Sequence, residues 1–525
     1  MFLGMDMFHT SGGRQVSPYV TVGICMLFFA VCASDLSAQT SSDTLDVNGR
    51  KYFLSGAVPE MGEGLYNASP SANLYRQELS FTEIGVSYFM RDESGALILQ
   101  EGDRFDNGNF GADSYIRLND HSVAFASVGY VNGKKRNVLW NSSSDFLLLY
   151  PYVTADTVGG DLFHEKYAFS GGYSRRDGRF GYGAMASYRA LHEYRKTDPR
   201  PRNITSDFNA VLSLGYEAGA NLLYAAFSGR IYRQISDVRF YDPAGANTVE
   251  MPMTGLGTYF ERFTGNGVFL GTYHKGNGYS VRIGTIPCNT PGWIGEAVFS
   301  SFTVDRLLSN QNDVPITSLN QTDFSVYAGY KGNSWGVSLC GSHKRRSGTE
   351  MIIDNGASDI YNVLGASVMY MDEKTSVSLS LCADWRRGGV MWSFAPVAGW
   401  TYSTTEYLYP ERQMGYSGIH ARIPVKAVLG AGAWLFVFRL GLSASVNLGR
   451  NLHISPEGED AAVSDMVEYM FANLSSSFCG EDCSVRIQRA LNRTMAVFAE
   501  GRGGYAFFDS GVNACVAEVK VGICF

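Results

Sequence analysis

The chain has 525 residues, 45% of them hydrophobic, and a mean hydropathy of -0.08, which excludes both a bundle of membrane helices and a disordered polymer. Glycine (59), tyrosine (31) and phenylalanine (32) are abundant and proline (15) is scarce, a composition that favours β-structure with many tight turns. A formal charge of -7 argues against a basic nucleic-acid-binding domain, so no nucleic-acid partner is expected.

Residues 1–38 read as an export signal. Val20–Ala33 is an apolar run of signal-core length, short of the roughly 20 residues a membrane helix needs. Arg14 precedes it and Ser37-Ala38 closes it, placing cleavage before Gln39. An uncleaved anchor is the alternative, and bulky Val31 argues against a lipid-bearing Cys32. Removal leaves 42 bases and 48 acids, a net charge of -6. Residues 39–78 lack clean alternation and contain Pro59, Gly62, Gly64 and Pro70; they read as a periplasmic or plug-like extension lying across or inside the mouth of the following domain.

From residue 79 a period of two recurs. Gly181–Tyr194 sets Tyr182, Ala184, Ala186, Tyr188 and Ala190 against Gly183, Ser187, Arg189 and Glu193. Asp198–Ile204 and Ser236–Gly257 read as longer loops, and between them Leu223, Ala225, Phe227 and Ile231 alternate with Tyr224, Ser228 and Arg230. Ser334–Arg346, Thr375–Arg387 and Leu435–Leu448 repeat the pattern, with Val377, Leu379, Leu381 and Trp385 opposite Ser376, Ser378, Ser380, Asp384 and Arg386. Asn132-Gly133, Asp177-Gly178, Gly332-Asn333, Asn355-Gly356 and Met371-Asp372-Glu373-Lys374 read as hairpin turns. The longest apolar run of the mature chain, Ala427–Phe438, is 12 residues long and cannot cross a bilayer as a helix. In Glu457–Leu474, Val463, Met466, Val467, Met470, Phe471 and Leu474 follow helical spacing; a strand with chance spacing is the alternative.

Repeated alternating segments of about 10 to 14 residues, with a polar face of Gly, Ser, Ala and isolated charges, fit the strands of a transmembrane β-barrel better than a soluble sandwich. The fold class is therefore all-β, a transmembrane antiparallel β-barrel over residues 79–525. About 25 residues per strand and connection gives 16–20 strands, with 18 favoured. The last strand places Ala517, Val519, Val521, Ile523 and Phe525 on one face. An aromatic terminus behind alternating apolar residues resembles the assembly signal of Gram-negative outer-membrane proteins. Signal peptide, strands and terminal Phe525 together resemble the large, functionally uncharacterised barrels of that class, which are porin- or transporter-like. That resemblance implies the outer membrane of a Gram-negative bacterium, with membrane lipid, lipopolysaccharide and the barrel-assembly machinery as partners.

Seven cysteines remain after cleavage, and Cys479 and Cys483 could close a small loop disulfide. His164-Glu165 and His192-Glu193 begin like zinc-protease motifs but lack the second histidine, so no metal or other cofactor is expected. The polar faces carry Arg189, Arg230, Lys331, Lys344, Arg346, Arg386, Arg439 and Lys520 against Glu193, Asp323, Asp384 and Glu518. Eight bases to four acids suggest either a lumen that favours anions or salt bridges completed by loops and the extension. The expected function is a channel or transporter for small solutes or nutrients, without covalent chemistry. A structural or interaction barrel is the first alternative, and a lipid-acting hydrolase with a triad assembled across strands is the second.

Overall fold

The structure, a computed structural model, describes residues 45–76, 79–239, 241, 250–264, 271–289, 291–308, 313–354, 361–455 and 461–525. The export-signal reading, the turn at Asn355-Gly356 and the start of the 457–474 segment lie outside the described residues.

Four short helices come first: α1 (Val47–Leu54), α2 (Ala57–Glu60), α3 (Glu63–Ala68) and α4 (Pro70–Asn73). The wall follows with β1 (Phe81–Glu93), β2 (Arg104–Asn119) and β3 (Ser122–Val138). A connection holding α5 (Phe146–Leu149) and β4 (Thr154–Asp156) leads to β5 (Gly160–Asp177), β6 (Phe180–Arg195), β7 (Arg200–Ala218) and β8 (Asn221–Arg239). A second insertion, with β9 (Glu250–Gly255) and β10 (Thr258–Tyr259), precedes β11 (Gly271–Pro287), β12 (Gly292–Leu308), β13 (Val314–Lys331) and β14 (Trp335–Ile353). The wall continues through β15 (Val363–Arg387), β16 (Val390–Phe394), β17 (Val397–Tyr407), β18 (Arg412–Ala431) and β19 (Trp434–Ile454). Helix α6 (Ala461–Leu474) then separates β19 from β20 (Phe478–Ala490), β21 (Ala496–Phe508) and β22 (Asn513–Cys524).

Every wall strand pairs antiparallel with its neighbours, and β1 pairs with β22 from Glu83↔Cys524 to Glu93↔Ala514, which closes the sheet. Thr82 and Phe525 exchange backbone bonds of 3.2 and 2.9 Å at the seam. Strands β16 and β17 both lie between β15 and β18 and form one wall strand broken at Ala395-Pro396, where proline has no N–H for the ladder. The wall is thus an 18-stranded closed antiparallel barrel.

The burial pattern is inverted relative to a soluble protein. Leu212, Leu214, Leu223, Phe227, Ile231, Leu379, Leu381, Leu440 and Leu442 are exposed on the outside, while Gln234, Arg306, Glu193 and Gln488 are buried on the inside. Along β15 the outward Val377, Leu379, Leu381 and Trp385 span eight residues, which at about 3.3 Å per residue and a tilt near 40° covers ~20 Å, close to the apolar thickness such barrels present. Aromatic pairs rim one edge, among them Phe180–Tyr216, Trp293–Tyr330 and Tyr330–Trp335 with centroids 5.2, 5.4 and 5.5 Å apart. At that edge the connections are short, as at Asp177-Gly178, Gly219-Ala220, Gly388-Gly389 and Gly432-Ala433, whereas α5, β4, β9, β10 and α6 all belong to the opposite end. Short turns mark the periplasmic side and long loops the extracellular side. Among the described residues no helix is long and apolar enough to cross a membrane.

Four expectations need correction. Asn132-Gly133 lies inside β3, where a Cβ on Gly133 would stand 2.7 Å from the Asp106 carbonyl oxygen of the neighbouring strand. Met371–Lys374 also runs through the middle of β15, its polar residues being lumen and rim groups of a long strand. Asp198–Ile204 is loop only to Pro199, since β7 begins at Arg200. Cys479 and Cys483 are free, exposed on the outer face of β20, and separated along an extended strand by about 13 Å, beyond disulfide reach. The helical spacing near residue 463 does form a helix, α6, which buries Val463, Met466, Val467 and Phe471.

The face assignment makes a direct prediction. Leu379→Arg places a charge on the lipid side and should cost about 2–4 kcal/mol. Ser378→Arg, one residue away on the lumen side, should be nearly neutral. Urea unfolding of the barrel in lipid vesicles distinguishes them, and equal losses would mean the faces are misassigned.

Candidate functional site: a lumen closed at both mouths

The lumen wall is built from the inward half of each strand, where small polar side chains predominate. Hydroxyl pairs bridge neighbouring strands at Ser127–Ser170, Ser228–Ser280 and Ser342–Ser376, at 2.8, 2.7 and 2.8 Å. Short hydroxyl side chains leave room in the lumen and offer donors and acceptors to water or solute.

Residues 45–76 fill the periplasmic mouth. Asp46 caps α1 by accepting from the Gly49 amide at 2.7 Å. The chain then crosses the lumen, touching strands all round the wall. Gln488 donates to Asn48, the carboxylate of Asp384 accepts from the amides of Ala57 and Val58 at 2.8 and 2.9 Å, and Lys426 binds Glu60 at 2.6 Å and the Ser55 carbonyl at 2.8 Å. Ser213 accepts from the Ser71 amide at 2.6 Å, and Tyr115 donates to the Asn73 carbonyl at 2.8 Å. One side is apolar: Met61, Leu65, Tyr66 and Ala72 pack on Leu222, Tyr224, Ile286 and Ile294. Smaller apolar contacts lie on either side of it: Val47 packs with Phe498 and Cys524, Tyr52 against Met391 and Val428, and Leu74 with Tyr115 and Val123. Between these clusters run the hydrogen bonds and ion pairs, which exchange for water at small net cost, typically about 1 kcal/mol each.

The extracellular mouth is closed by the long connections, which share an apolar core. Phe146, Leu149 and Tyr152 pack with Met251, Met253, Leu256, Val463, Met466 and Phe471 against Tyr232, Phe302, Tyr370 and Tyr407 of the wall. The cap is also pinned by buried charge. Arg195 and Asp156 form a fully buried pair at 2.9 Å, and Arg306 donates to the Val153 carbonyl and the Thr154 hydroxyl at 3.1 and 2.6 Å. Glu250 stands opposite Asp156 across the β4–β9 pair, and its Oε1 has no hydrogen-bond partner among the described residues. Burial, reinforced by the Asp156 charge, pushes the Glu250 carboxyl up to about 8.

Each charged residue singled out from the sequence has a definite place. Arg189 grips Asp145 of the cap with two bonds, at 2.8 and 2.7 Å, and reaches Asp207 at 3.3 Å; Arg230 in turn holds Asp207 at 2.9 and 2.8 Å. Glu193 accepts from Ser144 of the cap connection and pairs with Lys135. Arg346 donates to the Leu148 carbonyl at 2.7 Å. Asp384 and Lys331 hold the periplasmic segment, Arg386 lies over the Tyr52 ring, and Arg439 is 3.7 Å from Glu60. Lys520 pairs with Glu83, which also meets Lys51 and Arg486. Lys344 faces Lys374 across β14 and β15. The sequence reading missed Asp145, Asp207, Glu60 and Lys426, which supply partners to these residues. Asp145 and Glu60 lie off the wall, where no strand periodicity identifies them; Asp207 and Lys426 follow the period of two and were legible in principle. Val519 and Val521 face outward on β22, and Phe525 ends at the seam. Among the described residues no group of three or more His, Cys, Asp and Glu side chains could hold a metal.

A closed barrel with an apolar outer belt, short turns on one side and long loops on the other is an outer-membrane protein of a Gram-negative bacterium. A family model described as a family of unknown function (DUF6850) matches residues 70–525. No curated protein matches the chain. Among solved structures the chain is similar to the outer-membrane transporter YddB of Escherichia coli, with 8% identity, a TM-score of 0.37, and 84% of this chain and 81% of that one covered. It is also similar to BauA, the ferric preacinetobactin receptor of Acinetobacter baumannii, with 8% identity, a TM-score of 0.35, and coverage of 84% and 80%. The ferric-catecholate import receptor Fiu of Escherichia coli K12 has 8% identity, a TM-score of 0.36, and coverage of 86% and 82%.

Glu250 gives the cap a pH dependence. Its pKa in the fold exceeds the ordinary 4.5, so the protonated form is favoured in the folded cap and stability is lost as pH rises from about 4.5 through about 8. Chymotrypsin cleavage after Phe146 or Tyr152 should accelerate between pH 6 and pH 9, and Glu250→Gln should flatten that rise. An unchanged rise in the variant would assign the effect to another group.

Proposed function

We propose that this chain, which belongs to the family of unknown function DUF6850, passes small polar solutes across the outer membrane through its own lumen, with residues 45–76 as the periplasmic gate and the loop cap as the extracellular one. The observation that carries this reading is a hydroxyl-rich lumen closed at both mouths by segments of the same chain. A barrel serving only as a scaffold could fill its interior with apolar side chains. Here the wall carries Ser, Gly and Asn faces, and between its small apolar clusters the periplasmic segment is held by replaceable polar contacts such as those of Asp384 and Lys426. Transport would be gated, because both mouths are occupied.

Two partners belong to the same reading. The outward belt would contact membrane lipid and lipopolysaccharide, and the strand bearing Val519, Val521, Ile523 and Phe525 would be read by the barrel-assembly machinery. A second reading, a structural barrel that presents its loops to a surface partner, is favoured by the apolar core of the extracellular cap, which resists opening.

Liposome swelling with sugars of graded size separates the two. Replacing Asp384 and Lys426 by alanine removes the two amide anchors and the Glu60 pair at the periplasmic mouth, Phe471→Ala loosens the apolar core at the extracellular one, and this triple variant should swell liposomes several-fold more than wild type with the smallest sugars. If neither protein swells liposomes while both remain folded barrels, passage through the lumen is wrong and the structural reading stands.

A further inference from the structure

Most inward charges of the wall have an opposite charge in contact. Arg189 and Arg230 share Asp145 and Asp207, Arg282 pairs with Glu296 at 3.0 Å, Arg422 with Asp482 at 2.9 Å, and Glu83 is surrounded by three bases. One rung stands out because it sets two bases face to face. Lys344 on β14 and Lys374 on β15 stand directly opposite each other, both on the lumen side, and among the described residues neither has a carboxylate within 4 Å. Directly opposed side chains in an antiparallel pair have Cβ atoms about 5 Å apart, and like charges there destabilise the sheet. Lys374 is exposed although it points inward, so the solvent it meets is that of the lumen.

The surroundings offset this rung only in part. Asp323, opposite Lys344 on β13, already accepts from Gln321 at 2.7 Å and Ser300 at 3.3 Å. Asp372 accepts from Thr405 at 2.8 Å. Arg346, one rung nearer the cap and buried, adds a third positive charge, and its Nε has no hydrogen-bond partner among the described residues. Arg345 and Glu373 pair with each other at 3.5 Å on the outer face and do not enter the balance. Three bases therefore face two acids, whose hydrogen bonds to neutral donors leave their charges in place, so the group keeps a surplus of one positive charge. On the other side of the lysine rung lies the Ser342–Ser376 pair, two residues along, about 6.6 Å away and within reach of a lysine side chain.

We propose that Lys344 and Lys374, with the hydroxyls of Ser342 and Ser376, form a binding station for the phosphate group of a solute inside the lumen; this rests on the reading of the lumen as a solute passage. Two ammonium groups converge on a doubly charged oxyanion, the serine hydroxyls donate to its remaining oxygens, and binding relieves the like-charge repulsion. The station is specific to the β14–β15 sector of the wall.

The test uses the purified full chain in detergent with inorganic phosphate as the probe. Calorimetry should give saturable binding to wild type, and Lys344→Gln with Lys374→Gln should weaken it about tenfold or more. The outer-face variant Arg345→Gln should bind as wild type does. Lys374→Gln alone relieves the repulsion and so should keep the barrel folded, seen as retained heat-modifiable migration. Phosphate should raise the thermal midpoint of wild type and leave that of Lys374→Gln nearly unmoved. Absence of saturable binding in wild type, equal affinity in the double variant, or equal weakening in Arg345→Gln each overturns the station. Sugar-driven swelling of liposomes holding the variant with both mouths loosened tests the passage separately. Swelling without phosphate binding sinks the station alone, and phosphate binding without swelling at any sugar size sinks the passage alone.

Discussion

In hydrocarbon there is no water to satisfy an exposed backbone N–H or C=O, so a sheet that enters a membrane must have no edge. In this chain that constraint is met where β1 joins β22, with Thr82 and Phe525 completing the seam. Closure has two consequences. The outer half of every strand must be apolar, and eighteen strands enclose a lumen too wide for wall side chains alone to fill. The first consequence explains the exposed leucines, valines and tryptophans of the belt. The second explains why segments outside the wall lie within it.

The two closures differ in physical character. The extracellular cap has a core of its own, in which Phe146, Tyr152, Met253, Met466 and Phe471 meet wall aromatics, and its charges are buried in pairs such as Arg195–Asp156. Opening it exposes apolar surface at about 25 cal/mol per Å² and separates buried charges. The periplasmic segment consists of helices of eight residues or fewer, too short to be stable alone, and depends on the wall for its shape. Its anchors are an aspartate on two amides, a lysine on a carbonyl and a glutamate, and serines on backbone groups. Such contacts have nearly equivalent replacements in water, and the apolar contacts of the segment, at Val47, Met61, Leu65, Tyr66, Ala72 and Leu74, are divided among small clusters instead of one shared core, so this closure is the weaker of the two.

Much of the wall was legible in the sequence because the period of two is imposed by lipid on one side and water on the other. Val377, Leu379 and Leu381 against Ser376, Ser378 and Ser380 need no other explanation, and the eighteen strands lie within the 16–20 that about 25 residues per strand and connection allows. Failures came where local chemistry has two meanings. Asn132-Gly133 has the composition of a hairpin turn, yet it lies within a strand, where the Asp106 carbonyl of the neighbouring strand leaves little room for a side chain at Gly133. Asp372 and Lys374 look like turn residues because charged side chains are rare in strand centres, and only a water-containing lumen makes them strand residues. Cys479 and Cys483 look bridgeable by sequence distance, but an extended strand holds them apart. The partners of the lumen charges were hidden for a different reason. Asp145 and Glu60 reach the lumen from segments without strand periodicity, so an excess of base on the wall gave no indication of where the compensating acid would come from.

The periplasmic closure is a separable element, held to the barrel by polar contacts and by small separate apolar clusters. Hydrogen exchange of the full chain in lipid measures this directly, because local opening is read segment by segment. Amides of residues 47–73 should exchange well ahead of the neighbouring wall strands β15 and β18, and faster still at 1 M salt, where exposed ion pairs are screened. Exchange as slow as that of the wall, with no response to salt, would contradict the account and make the segment a fixed part of the barrel.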